Sequence, residues 1–251
     1  MEADRPLARV FMDIIPAPHK SSFDPNCDFS HYLLIVDTYS RIPQLGGLNE
    51  LNSEAVMDKI EEFVARYGEV NEFGWWNIDR IQADAGPQFT SKEFLEKCTK
   101  KGIRLSLAAP EHQEQNGISE KTWHSLRTLA HSMMVHARVA EEFSHHALMY
   151  AAHRVFPVLP IKDLVNEQGE PCTPFELMNG EKPPVRHLRT LFCLVIVKKH
   201  TAMKDKKMVN MRHQAQKGYR GIFVGMPENQ EGYLCYVPSI RENGDLVRRA
   251  F

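Results

Sequence analysis

Cysteine is sparse in this 251-residue sequence: Cys27, Cys98, Cys172, Cys193 and Cys235 are odd in number, widely spread and form no C-x-x-C pair. That pattern argues against both a disulfide framework and a structural zinc site. The segment CDFSH (Cys27 to His31) has no second ligand pair nearby, and none of the 12 histidines stands in an H-E-x-x-H pattern. Also missing is any apolar run near the roughly 18 to 20 residues needed to span a bilayer. The opening MEADRPLARV lacks the apolar stretch of a signal peptide, so a soluble, intracellular protein is expected. Internal repeats and low-complexity tracts are absent as well.

Net charge is nearly absent at -1, but it is unevenly divided. Residues 181 to 251 hold 14 Lys/Arg against 6 Asp/Glu, or +8, while the remainder holds 17 against 26, or -9. The asymmetry permits phosphate contacts in the last part and cation binding in the larger part. A hydrophobic fraction of 43 % allows one sizeable core or a core plus a small second domain.

ARVFMDII reads as a buried strand, HYLLIVDTYS as a second ending in Asp37, and RIPQLGGL as a third. Their close succession suggests an antiparallel meander. Val56, Ile60, Phe63, Val64 and Tyr67 recur at helical spacing after a candidate N-cap, Ser53, and Gly68 closes that segment. WNIDRIQAD predicts a fourth strand ending at Asp84, followed by a turn, AGPQF. Thr90 and Glu93 suggest a capping box for the next helix, which Gly102 stops. GIRLSLAAP predicts a half-buried fifth strand. From Gly117 a long helix presents Leu126, Leu129, Ala130, Met133 and Ala137 on one face and Glu120, His124, Arg127 and His131 on another.

Beyond residue 139, EFSHHALMYAAHRVF is helical in pattern, and TPFELMNG has a Thr-Pro start and an Asn-Gly end. LFCLVIVKK, GYRGIFVGMP, GYLCYVPS and DLVRRAF are short β-type runs that suggest a small barrel. The element order is that of an α/β layered domain; by analogy it matches ribonuclease H-like folds.

Three carboxylates occupy comparable places: Asp13 inside the first strand, Asp84 at the end of the fourth, and Glu120 in the first turn of the long helix. Each has an ordinary explanation open to it. Asp84 suits the start of a turn, and Glu120 suits the positive end of a helix. Asp13 is harder to explain away, because a lone carboxylate in an apolar strand is costly without compensation. Brought together, the three would repel one another unless divalent cations sat among them, and oxygen donors of this kind suit Mg²⁺ or Mn²⁺. Asp37 reads as a structural strand-end residue, and Trp75 and Trp76 as core or interface.

Asp84 and Glu120 are separated by 35 residues. With the flanking F-M-D-I, A-D-A-G-P-Q-F and A-P-E-H-Q-E-Q-N-G-I-S-E-K, they resemble the D,D(35)E integrases of retroviruses and LTR retrotransposons. IVDTYSR is similar to the D-x-[FY]-S-R segment of these enzymes. TPFELMNGEKPPVRHLRTLFC, KGYRGIFVG and GYLCYVP resemble the region after the core in copia-type elements.

The resemblance implies a ribonuclease H-like mixed five-stranded sheet flanked by helices (residues 1–138), a helical connector (139–185) and a small SH3-like β-barrel (186–251). It further implies that Asp13, Asp84 and Glu120 are catalytic and bind two Mg²⁺ (or Mn²⁺) ions, with Asp13 bridging both. The implied reactions are 3′-end processing of element DNA and strand transfer into target DNA. Implied partners are terminal-repeat DNA, target DNA and further copies of the chain, acting in the nucleus. The loop Gln113 to Gly117 resembles the mobile loop beside such sites. Candidate DNA contacts are Asn116, Gly117, Lys121, His124 and Arg127, joined by the basic residues Lys198, Lys199, Lys204, Lys206, Lys207 and Arg212. The zinc-binding His/His/Cys/Cys domain usual upstream in the family has no counterpart here. A catalytically inactive, element-derived DNA-binding or scaffolding protein is the alternative.

Overall fold

The computed structural model describes residues 3–17, 29–69, 76–107, 117–166, 168–198, 218–227 and 232–238, and the backbone of strand residues 241–242, 245–246 and 249–250. Five strands build the first sheet: β1 (Arg9–Pro16), β2 (His31–Asp37), β3 (Pro43–Leu48), β4 (Arg80–Ala83) and β5 (Arg104–Leu107). Their order is β3-β2-β1-β4-β5. The first three form the expected antiparallel meander. β1 and β4, and then β4 and β5, run parallel, so helices must carry the chain between them.

Both faces of this sheet are covered, and alternation along β2 shows how. Leu33 and Ile35 enter a core shared with Val10 and Met12 of β1 and with Val56, Ile60 and Phe63 of α1 (Ser53–Tyr67), to which Phe94 of α3 (Lys92–Lys100) also belongs. Tyr32, Leu34 and Val36 point the other way, into a core with Leu126 and Ala130 of α4 (Gly117–Ala137). Leu129, Met133 and Ala137 pack against that second core, as their spacing predicts. A strand apolar on both sides reads as an uninterrupted hydrophobic run, which is what HYLLIV is.

Local caps differ in detail from the sequence expectation. α1 is capped by Asn52, whose side chain accepts from Ala55 N at 2.8 Å, and Ser53 is the first helical residue. The AGPQF turn contains a single helical turn, α2 (Pro87–Thr90). α3 is capped by Ser91, which accepts from Phe94 N at 3.2 Å, and not by Thr90. In each case two neighbouring residues had the right chemistry, and packing selected one: Ser53 is buried, and its hydroxyl meets that of Ser91 at 2.5 Å. Asp37 is structural, as expected. Fully buried, it accepts from Leu7 N, Ser40 N and Ser40 Oγ at 2.9, 2.7 and 2.7 Å. Trp76 is buried, while Trp75 lies outside the described residues.

After α4 the chain forms one continuous coil. A 3-10 turn (Glu141–Phe143) leads into α5 (Ser144–Tyr150), a π-helical turn (Ala151–Val155) and a closing 3-10 turn (Phe156–Val158). α6 (Pro174–Asn179) has the Thr-Pro start and the Gly180 stop: Thr173 and Glu176 form a reciprocal capping box, and Gly180 takes the left-handed conformation at φ 73°. The remaining strands, β6 (Leu194–Lys198), β7 (Gly218–Gly225), β8 (Leu234–Tyr236) and β11 (Arg249–Ala250), form an antiparallel sheet of order β11-β8-β7-β6, beside a two-stranded ribbon of β9 (Arg241–Glu242) and β10 (Asp245–Leu246). Phe223 and Val224 of β7 belong to the same buried cluster as Leu126, Ala147 and Tyr32. The helical coil is therefore clamped between the two sheets. No helix among the described residues is long and apolar enough to cross a membrane.

Candidate active site

Strand register brings the first two carboxylates together. In the parallel pair Val10 lies opposite Ile81 and Phe11 opposite Gln82. Two residues further along both strands, Asp13 comes level with Asp84, just past the end of β4. Odd positions of β1 face α4, as Ile15 in the second core shows, and even positions face α1. Asp13 therefore projects toward the helix that carries Glu120 in its first turn. Ser119 and Thr122 are buried against the body of the protein, which leaves the Glu120 side chain exposed.

The electrostatics record this convergence. Asp13 is half-buried, and its pKa is pushed up from 3.8 to about 6. Burial contributes most, the charge of Asp84 next and that of Glu120 last, against a lowering hydrogen bond from the Ile14 backbone. A carboxyl raised by two other carboxylates is one that a cation would restore to its charged form. Among the described residues, no three His, Cys, Asp or Glu side chains are drawn together tightly enough to hold a metal ion. The three carboxylates are thus within reach of one another's charge but not gathered as a cage. Their all-oxygen donor set has the chemistry a hard divalent cation requires.

Asp84 also has the turn role its sequence context suggested. Its Oδ1 accepts from Gly86 N at 3.3 Å as the chain enters α2. A Cβ on Gly86 would meet the end of the Gln88 side chain, Nε2 at 2.3 Å, and Asp84 Oδ1 at 3.1 Å, so a larger residue there would have to displace the Gln88 amide.

Of the expected DNA contacts, His124 and Arg127 are exposed on the solvent face of α4. Lys121 and Gly117 lie on another flank, lining a cleft of about 370 Å³ with Arg41, Ser125 and Asp163. A Cβ at Gly117 would meet open space, so no close contact demands glycine there. Lys198 is exposed at the end of β6. Asn116, Lys199, Lys204, Lys206, Lys207 and Arg212 lie outside the described residues. Two further arginines outside the expected set, Arg9 and Arg41, line an adjoining cleft of about 380 Å³ with Phe11 and Tyr39. Arg41 belongs to the IVDTYSR segment and adopts a left-handed φ of 65°.

A five-stranded mixed sheet with helices on both faces, one aspartate inside its central strand and another at the end of the neighbouring parallel strand, is the ribonuclease H-like fold of integrase catalytic cores. Residues 3–113 match the family described as Integrase core domain; that segment contains Asp13 and Asp84 and stops short of Glu120.

Among curated proteins, the chain is 22% identical over 163 residues to the Retrovirus-related Pol polyprotein from transposon TNT 1-94 of Nicotiana tabacum, covering 64% of this chain and 11% of that protein. It is 26% identical over 125 residues to the Gag-Pol polyprotein of Walleye dermal sarcoma virus, covering 49% of this chain and 6% of that protein. The chain thus spans about a tenth or less of the length of these relatives. Among solved structures, it aligns with the cryo-EM structure of the simian T-cell lymphotropic virus intasome in complex with PP2A regulatory subunit B56 gamma. The TM-score is 0.53 at 15% identity, covering 96% of this chain and 75% of that one. The likeness is one of fold.

Proposed function

We propose that this chain is the catalytic and C-terminal part of a copia-type retrotransposon integrase, a polynucleotidyl transferase that processes the 3′ ends of element DNA and joins them to target DNA. The observation that carries the reading is the convergence of Asp84 and Glu120 on Asp13, expressed in the raised pKa of that group. Asp13, Asp84 and Glu120 would hold two Mg²⁺ or Mn²⁺ ions. When bound, such ions activate an attacking oxygen and stabilise a leaving 3′ oxygen in an in-line displacement at phosphorus.

The chain's own residues have separate tasks. Asp13, fixed in the central strand, is the rigid member of the set and would be held in its charged form by a bound cation. Asp84 is oriented by the Gly86 N–H. Glu120 projects from the first turn of α4 with its side chain exposed. His124, Arg127 and Lys121 would meet DNA phosphates, with Arg41 lining the cleft beside Lys121. In this reading residues 1–138 are the catalytic core, 139–185 the connector and 186–251 a DNA-contacting barrel, and the protein works as a multimer.

The test is strand transfer with a short duplex bearing the element's own ends. Asp84→Asn should abolish joining while leaving the circular dichroism spectrum and melting temperature close to the parent's; joining retained in that variant removes the assignment. Mn²⁺ bound between the three carboxylates without joining of any tested duplex would favour the scaffolding alternative.

A further inference from the structure

Between β1, the turn after β2, α4 and residues 161–165 lie two clefts whose linings share Arg41, Ile118, Asp163 and Leu164, so they adjoin as one groove. The cleft of about 370 Å³ adds Lys121 of α4, and the cleft of about 380 Å³ adds Arg9 and Phe11 of β1 and Tyr39 of the turn. We infer that this groove binds unpaired nucleotides of a single strand: Arg9, Arg41 and Lys121 take the phosphates, Tyr39 offers a stacking face and Asp163 accepts an N–H from the edge of a base. On the integrase reading, on which this assignment rests, the strand is DNA.

Strand register fixes where the groove lies. Arg9, Phe11 and Asp13 are alternate residues of β1 and share the face turned toward α4, so Phe11 stands one two-residue step, about 7 Å, from the first carboxylate. On α4, Lys121 follows Glu120 directly, and Ile118, Lys121 and Ser125 recur along the groove at helical spacing. A strand held here leads toward the carboxylates.

The charges of the groove are not matched within it. Among the described residues the side chains of Arg9, Arg41 and Lys121 make no ion pair or hydrogen bond, with Asp163 or with any other residue. Arg9 and Arg41 are half-buried, and a partly desolvated guanidinium is costly until an anion completes it. Three cations beside one carboxylate suit a nucleotide better than a bare anion, because the cations hold the backbone while the carboxylate accepts from the base. Tyr39 is half-buried too and stacks on no other described ring, which leaves it open to a base. Arg41 is aimed by a strained turn: its φ of 65° is one that glycine or asparagine adopts more readily, and a 2.9 Å bond from its N to Asp37 O holds it there.

The test uses the whole chain in EDTA, so that no divalent ion takes part. A short oligothymidylate carrying one 5-iodouracil is irradiated with the protein, and the linked peptide is identified by mass spectrometry. The expected attachment is at Tyr39, saturating with strand concentration, with half-saturation raised about tenfold or more in Arg41→Gln. Thymidine monophosphate, which offers one phosphate to three cations, should compete about tenfold more weakly than the unlabelled strand. Attachment confined to residues 181–251, a yield untouched by Arg41→Gln, or competition by the monophosphate as strong as by the strand overturns the proposal. Should Arg41→Gln not fold, Arg9→Gln provides the same comparison. Strand-transfer assays distinguish the two possible failures. Joining abolished by Asp84→Asn with no attachment at Tyr39 removes the groove alone; attachment at Tyr39 with joining retained in Asp84→Asn removes the carboxylate assignment and keeps the groove.

Discussion

Lowering the pH from 7 to 5 should destabilise this protein through the histidines inside the second core. Burial drives His145 from 6.5 to about 3, with the neighbouring His146 adding to the shift, and drives His146 to about 4. Both are 6% exposed, so little solvent reaches them. Because their folded-state pKa values are depressed, the unfolded chain binds more protons between about pH 6.5 and 4, and stability falls as pH falls through that window. At pH 5 an unfolded imidazole is about 1.5 pH units below its ordinary pKa, and at 1.36 kcal/mol per unit each ring costs about 2 kcal/mol, or about 4 for the pair.

Asp13 acts in the opposite sense. Its raised pKa lets the folded state take a proton first, which returns about 1 kcal/mol between pH 6 and 5. The net loss is then about 3 kcal/mol, a large part of the 5 to 15 kcal/mol typical of a folded domain. His153 adds to it, though by less than its shift alone implies, because the residue is not fully buried. Urea denaturation followed by tryptophan fluorescence at pH 7, 6 and 5 measures the effect. Equal stability at pH 7 and 5, or an undiminished pH dependence in His145→Gln/His146→Gln, would refute the reasoning.

Other consequences follow from particular contacts. Asp37→Ala strands two backbone N–H groups and a hydroxyl in the core and should cost at least about 3 kcal/mol, while Asp37→Asn, which keeps an acceptor, should cost less; thermal melts distinguish the two. Tyr32→Phe removes the 2.9 Å hydrogen bond to His145 Nδ1 and should lower stability by about 1 kcal/mol, read from the urea midpoint. Binding of Mn²⁺ at pH 5.5 should release protons from Asp13, giving a calorimetric enthalpy that varies with the buffer's ionisation heat; at pH 8 that dependence should vanish. Thr173→Ala breaks the α6 capping box and should cost about 1 kcal/mol, seen in the melting temperature.

The antiparallel meander, the two-sided burial of HYLLIV and the apolar face of α4 were legible in the sequence, because side-chain periodicity is local and each strand or helix carries its own record. Candidate ligands were legible too: a carboxylate inside an apolar strand is conspicuous wherever it sits. Caps were read only to within a residue. Asn52 against Ser53 and Ser91 against Thr90 are chemically equivalent choices until neighbouring helices bury one of them. The grouping of Arg9 and Arg41 with Lys121 was not legible at all. The walls of that groove come from separate parts of the chain, which no residue pattern places together. Sequence determined which residues could do chemistry. Only the tertiary structure decided which of them share a space, because the β1–β4 register and the packing of α4 are set by contacts between segments remote in the chain.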